Sequence, residues 1–107
     1  MSTLLNIARM STATTGTGTV TLGSAVASFL TFAQAGATNG MVVAYLIEDA
    51  NGTGREVGTG TYTSSGTTLT RTPVNSTNGG AAISLSGTAQ VALTALAADI
   101  TNKTGDT

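Results

Sequence analysis

The chain has 107 residues, of which 23 are Thr, 16 Ala, 14 Gly and 9 Ser; only 8% are charged, and the formal net charge is −1. It contains no His and no Cys, which excludes thiolate and His-based catalysis, disulfides, haem ligation and the usual zinc sites within this chain. Its four basic residues, Arg9, Arg55, Arg71 and Lys103, are too few for the basic stripe that nucleic-acid binding requires, and no apolar run is long enough to span a membrane, so neither is expected as a partner.

The length allows one domain. With Ala set aside, few large apolar side chains remain, among them two Phe, two Tyr and no Trp. The burial gain of so small a core is nearly matched by roughly 1–2 kcal/mol of backbone entropy per residue, so such a chain gains from packing against other copies or another protein. Residues 1–13 read as an N-terminal arm. Leu4, Ile7 and Met10 at i, i+3 spacing fit one or two helical turns as well as an extended arm. Arg9 follows the apolar residues, the reverse of a secretory signal, so synthesis in the cytoplasm without export is expected.

Residues 14–22 alternate Thr with Gly, Val and Leu, the period of a strand, and Gly23-Ser24 ends it. Residues 25–35 place Phe29 and Phe32 at i, i+3, which suits a short helical turn, with a strand as the alternative. A loop follows over 36–40. Residues 41–49 are a near-continuous apolar run, predicting a strand covered on both faces. Asn51-Gly52 is a hairpin turn signal, 55–63 is the return strand, Ser64-Ser65-Gly66 turns again, and 67–71 returns. A two-residue turn pairs Tyr62 with Leu69; a three-residue turn pairs Thr61 with Leu69. Pro73 bars the next segment from a central strand position. Residues 75–80 form a loop, 82–86 and 88–96 a last hairpin around Ser86-Gly87, and 99–107 a polar tail. The sum is an all-β fold: a small antiparallel sandwich or barrel of about seven short strands over residues 14–98.

The charged residues Glu48, Asp49, Arg55, Glu56 and Arg71 form the one candidate cluster. Paired carboxylates can hydrolyse sugars, but an aromatic-lined cleft is poorly supplied by two Tyr, and a solvated hairpin tip with a weak ion pair is the simpler expectation. Residues 49–54 imitate the start of a calcium loop, yet Thr53 and Gly60 stand where ligands are required and the flanks are strands. Gly58 and Gly60 in a strand predict close approach of another backbone or a ring, that of Tyr45 or Tyr62. The Thr-x-Thr stretches at 15–21, 59–63 and 68–72 have irregular rungs, which argues for β-propensity and against an ice-binding plane. Arg71 is expected to reach Glu48, Asp49, Glu56 or a neighbouring subunit. No catalytic residue, cofactor or metal site is expected, and the chain is read as not an enzyme.

Several of these pieces keep a common order: Glu56-Val57-Gly58-x-Gly60-Thr61-Tyr62, then Ser65-Gly66-x-x-Leu69-x-Arg71, then Val74 and Ser76-Thr77-Asn78. Thr14-Thr15-Gly16-Thr17-Gly18-Thr19 and Tyr45-x-Ile47-x-Asp49 precede them. The pattern, over about residues 14–96, resembles a small module recurrent in virion proteins of tailed bacteriophages. The resemblance implies a non-enzymatic structural role. Such modules occur in fibre and tail proteins and as free-standing small proteins. Met1 and the lack of a coiled-coil extension favour the free-standing kind. The expectation is a capsid decoration (cement) protein on the virion surface, a homotrimer that binds and stabilises the major capsid protein lattice. The alternative is a tail- or fibre-associated module contacting other tail proteins or host-surface carbohydrate. Leu4, Leu5, Ile7, Arg9 and Met10 then form a candidate partner-contact arm, ordered on binding a coat protein or a neighbour. Near-neutral charge lets many copies pack without repulsion, and the charge-free stretches 10–47 and 72–98 are the expected contact regions.

Overall fold

A computed structural model describes residues 5–49 and 54–94. Among the described residues there are nine strands and no helix: β1 (Arg9–Thr12), β2 (Thr15–Gly16), β3 (Val20–Ala25), β4 (Val42–Asp49), β5 (Arg55–Thr63), β6 (Thr68–Leu69), β7 (Thr72–Ser76), β8 (Leu85–Ser86) and β9 (Ala89–Leu93). Six of them close a ring in the order β4-β9-β1-β3-β6-β5, with β5 returning to β4. Every pairing in the ring is antiparallel. β7 lies outside the ring on β5, and β2 pairs with β8 in a separate two-stranded ribbon. The fold is thus a small all-β barrel with one added strand.

Alternation along the strands decides what enters the barrel. On β4, Val43, Tyr45, Ile47 and Asp49 are buried; on β5, Glu56, Gly58, Gly60 and Tyr62 are buried between half-exposed neighbours. Met10, Val20, Leu22, Leu69, Ala89 and Val91 complete the wall, and Phe32 fills it from a turn segment rather than from a helix or strand. The Phe32 ring lies 6.1 Å from that of Tyr62, centroid to centroid. Ala44 is buried as well, so β4 is partly covered on its outer side, as its apolar run predicts.

β5 serves three neighbours. Its residues from Val57 to Thr59 face β7 on the edge that Tyr62 and Thr63 present to β6. The chain crosses from β6 to β7 over Gly58 and Gly60. A Cβ on Gly60 would stand 2.1 Å from the Thr70 carbonyl oxygen, and one on Gly58 would stand 2.2 Å from the Thr72 oxygen and 2.8 Å from the Tyr45 hydroxyl. The close approach expected at these glycines is present, made by backbone at both and by the Tyr45 hydroxyl at Gly58. The β5–β6 turn pairs Tyr62 with Leu69, the two-residue-turn register. Pro73 lies on β7, a strand paired on one side only.

Four expectations differ from the structure. Gly23 and Ser24, expected to end a strand, lie within β3, where pairing with β1 carries the strand on to Ala25. The arm over residues 1–13 is, from Arg9 to Thr12, strand β1, hydrogen-bonded on both sides to β3 and β9. Ala8 and Met10 are buried because their side of β1 faces the barrel interior. The strand over 14–22 is two strands, β2 and β3, separated by a loop through Gly18. The last hairpin does not form: Leu85 and Ser86 pair with Gly16 and Thr15, while β9 inserts between β1 and β4.

The crossing predicts that Gly58→Ala lowers the unfolding free energy by about 3 kcal/mol, because an overpacked site against backbone has nowhere to relax. Gly18→Ala, with nothing within 4 Å of its would-be Cβ, should stay within about 0.5 kcal/mol of the parent. Urea unfolding of the two variants measures both.

Candidate functional site

The β4–β5 register sorts the charges. Glu48 faces Arg55 and Ile47 faces Glu56 across the pair. Ile47 and Glu56 point into the barrel and are buried, whereas Glu48 and Arg55 lie outside. The five residues expected as one cluster therefore occupy three places.

The first is internal. Arg71, in the link between β6 and β7, reaches Glu56 with Nη2–Oε1 at 2.6 Å and Nε–Oε2 at 3.3 Å. Both side chains are essentially buried, at 1% and 0% exposure. The Tyr45 hydroxyl donates to Glu56 Oε2 at 2.5 Å and the Ile83 amide to Oε1 at 3.0 Å. Arg71 Nη1 donates to the carbonyls of Gly16 and Gly18, both at 3.2 Å, and Nη2 to that of Ile83 at 2.7 Å. No buried side-chain polar atom among the described residues lacks a partner. Burial pushes the Glu56 carboxyl up, but the hydrogen bonds from Arg71, Tyr45 and Ile83, with the Arg71 charge, outweigh it and hold the group below its ordinary value of 4.5. Burial, then the Glu56 hydrogen bond and charge, push the Tyr45 hydroxyl far above its ordinary 10.0, so it remains a donor. The Glu56 carboxylate and the Tyr45 phenol thus face each other inside the barrel, both enclosed. Their geometry ties β4, β5, the 16–18 loop and the segment before β8 together.

The second place is external. Arg9 on β1 bonds to Glu48 Oε1, and Arg55 Nε lies 3.1 Å from Glu48 Oε2. Arg9 Nε also donates to Gln90 Oε1 at 2.7 Å, and its guanidinium carbon lies 5.9 Å from the Phe29 ring centroid. The hydrogen bond from Arg9 leads the effects that lower the Glu48 carboxyl, with partial burial opposing it and the charges of Arg9 and Arg55 assisting. The third place is Asp49, buried, whose carboxylate accepts from the Ser86 hydroxyl at 2.7 Å and the Ser86 amide at 3.2 Å. Residues 50–53 of the calcium-like loop lie outside the described residues. Among the described residues, no three His, Cys, Asp or Glu side chains come together as a metal site.

Of the expected contact residues, Leu4 lies outside the described residues. Leu5 packs partly against the core, Met10 is inside it, and Ile7 is 62% exposed. Phe29, Gln90 and Ser86 each meet their charged partner from a distant part of the chain, so local spacing does not disclose these contacts. Two shallow depressions, of about 250 and 260 Å³, are smaller than the clefts that usually hold small ligands. No protein family, curated protein or solved structure matches the chain.

Glu56→Gln removes the charge that compensates buried Arg71, and a loss of about 3–5 kcal/mol is expected in chemical unfolding. The sign of the pH dependence follows from the depressed carboxyl: the stability that Glu56 contributes is complete above 4.5 and is lost as pH falls through the lower folded-state value. Acid titration of stability should therefore be shallower in Glu56→Gln than in the parent. Glu48→Gln, at a site whose carboxyl is 30% exposed, should change stability by no more than about 1 kcal/mol.

Proposed function

We propose that the chain is a non-enzymatic structural protein of a tailed-bacteriophage virion: a capsid decoration protein that sits on the capsid surface as a homotrimer and stabilises the major capsid protein lattice. One observation carries the reading. The residues that give the sequence its resemblance to phage virion modules are the ones that form a single architectural device. Glu56 and Arg71 are the internal ion pair, Gly58 and Gly60 are the crossing points, Tyr45 brings its hydroxyl to Glu56 beside Gly58, and Gly16 and Gly18 supply carbonyls to Arg71. What recurs in the pattern is a way of holding a barrel, not a set of reacting groups, and this supports a scaffold.

The distribution of charge supports the same role. Among the described residues, the ionised side chains outside the barrel are Arg9, Glu48 and Arg55, already in contact with one another. The rest of the described surface is neutral, so closely packed copies meet little like-charge repulsion.

Quantitative mass spectrometry of purified particles tests the reading. A copy number comparable with that of the coat protein is the expected result. A few copies per particle would transfer the chain to the tail or fibre, and its absence from particles would end the virion reading. Turnover of a saccharide that Glu56→Gln abolishes would overturn the non-enzymatic role.

A further inference from the structure

Two large apolar side chains are exposed where the backbone is held in an unfavourable conformation. Ile7 has φ 52° and is 62% exposed; Ser28 has φ 71°, and Phe29 beside it is 41% exposed. A β-branched residue in the left-handed region is an outlier, and such strain persists only where surrounding structure enforces it. Here a short parallel bridge between Ala8 and Leu30 enforces it. The Leu30 amide donates to the Ile7 carbonyl at 2.9 Å, the Arg9 amide to the Leu30 carbonyl at 3.1 Å, and the Phe29 amide to the Val26 carbonyl at 2.9 Å. Ile7 and Phe29 are thereby fixed one residue before the two bridged positions.

The Arg9 guanidinium lies beside the Phe29 ring and leads to Glu48 and on to Arg55. Two guanidiniums share one carboxylate, so this spot carries excess positive charge. Asp49, Glu56 and Arg71 are buried, which leaves no second acidic group on the described outer surface to balance it. An aromatic, an aliphatic and two Arg together have the composition of an interface centre.

We propose that Ile7, Phe29, Arg9 and Arg55 form a docking surface whose occupant is a coat-protein loop carrying an Asp or Glu next to a large apolar side chain. The apolar group covers Ile7 and Phe29, and the carboxylate meets the spare guanidinium donors, fixing the orientation. A second copy of this chain fits less well, because among the described residues the one outward-facing carboxylate is already shared by both Arg. The assignment rests on the virion reading given above.

Particles lacking this protein, mixed with the purified chain and sedimented, test it. Ile7→Asn, which tolerates the left-handed backbone, and Phe29→Ser should each weaken binding about tenfold or more. Arg55→Glu should weaken it most at low salt. Val74→Ser, at an exposed apolar position on β7, should bind as the parent does. Thermal unfolding identifies any variant that fails to fold; Arg55, with its side chain half exposed, is a change the fold tolerates and decides the matter if Phe29→Ser does not fold. If the parent binds and Ile7→Asn and Arg55→Glu bind equally well, or if Val74→Ser is the variant that loses binding, the docking surface is wrong and the virion reading stands. If the parent itself does not bind particles, the virion reading falls and this assignment with it.

Discussion

The barrel depends on the ion pair between Glu56 and Arg71. A buried pair of this kind adds little net stability by Coulomb attraction alone, since both groups give up their hydration. Its importance here lies in what else the guanidinium holds. The planar fork of Arg has five donors, and they reach Glu56 and the carbonyls of Gly16, Gly18 and Ile83. Those carbonyls belong to segments with few ladder partners of their own. Replacing the pair by two apolar side chains would strip the buried Tyr45 hydroxyl and Ile83 amide of their acceptor and the Gly16 and Ile83 carbonyls of a donor, and a buried polar group left without a partner is destabilising. The pair is therefore a junction for irregular backbone more than an attraction between two charges.

The composition takes on a physical meaning from this arrangement. Small residues are needed where chain crosses chain: the link from β6 to β7 runs over Gly58 and Gly60 at distances that no Cβ allows. Thr suits the outer side of β5, where Thr59 lies opposite Thr72 and Thr63 opposite Thr68; β-branching favours the strand and the hydroxyl keeps its surface wet. Among the described residues, charge is either consumed inside the barrel or gathered at Arg9, Glu48 and Arg55.

What the sequence discloses is what neighbours along the chain decide. β5 was legible to the residue, since alternation and flanking turn residues mark both of its ends, and β4 to within one residue. The lateral place of Pro73 follows from a missing amide, whereas turn length leaves Tyr62–Leu69 and Thr61–Leu69 both open, and the fold takes the first. The inward direction of Glu56 was also within reach, because it shares parity with Tyr62 on one strand. Other features depend on partners far away. β1 is four residues long and owes its existence to strands that come later, so alone it reads as an arm. Gly87 does turn the chain, with φ 103°, but the turn does not make a hairpin, since β8 and β9 have different partners. The contact of Arg9 with Phe29 is invisible for the same reason: it is set by the bridge between Ala8 and Leu30, not by spacing.

The place of β9 has a consequence for biosynthesis. The last described strand is inserted between the first and the fourth, so the ring cannot close until residues as far as Leu93 are free to pair. Until then β1 and β4 each present an unpaired edge. Closure of the ring therefore waits for β9, and a chain interrupted before Ala89 carries two open edges of the kind that recruit strands from other molecules. The order of the strands thus separates chains that have delivered β9 from chains that have not.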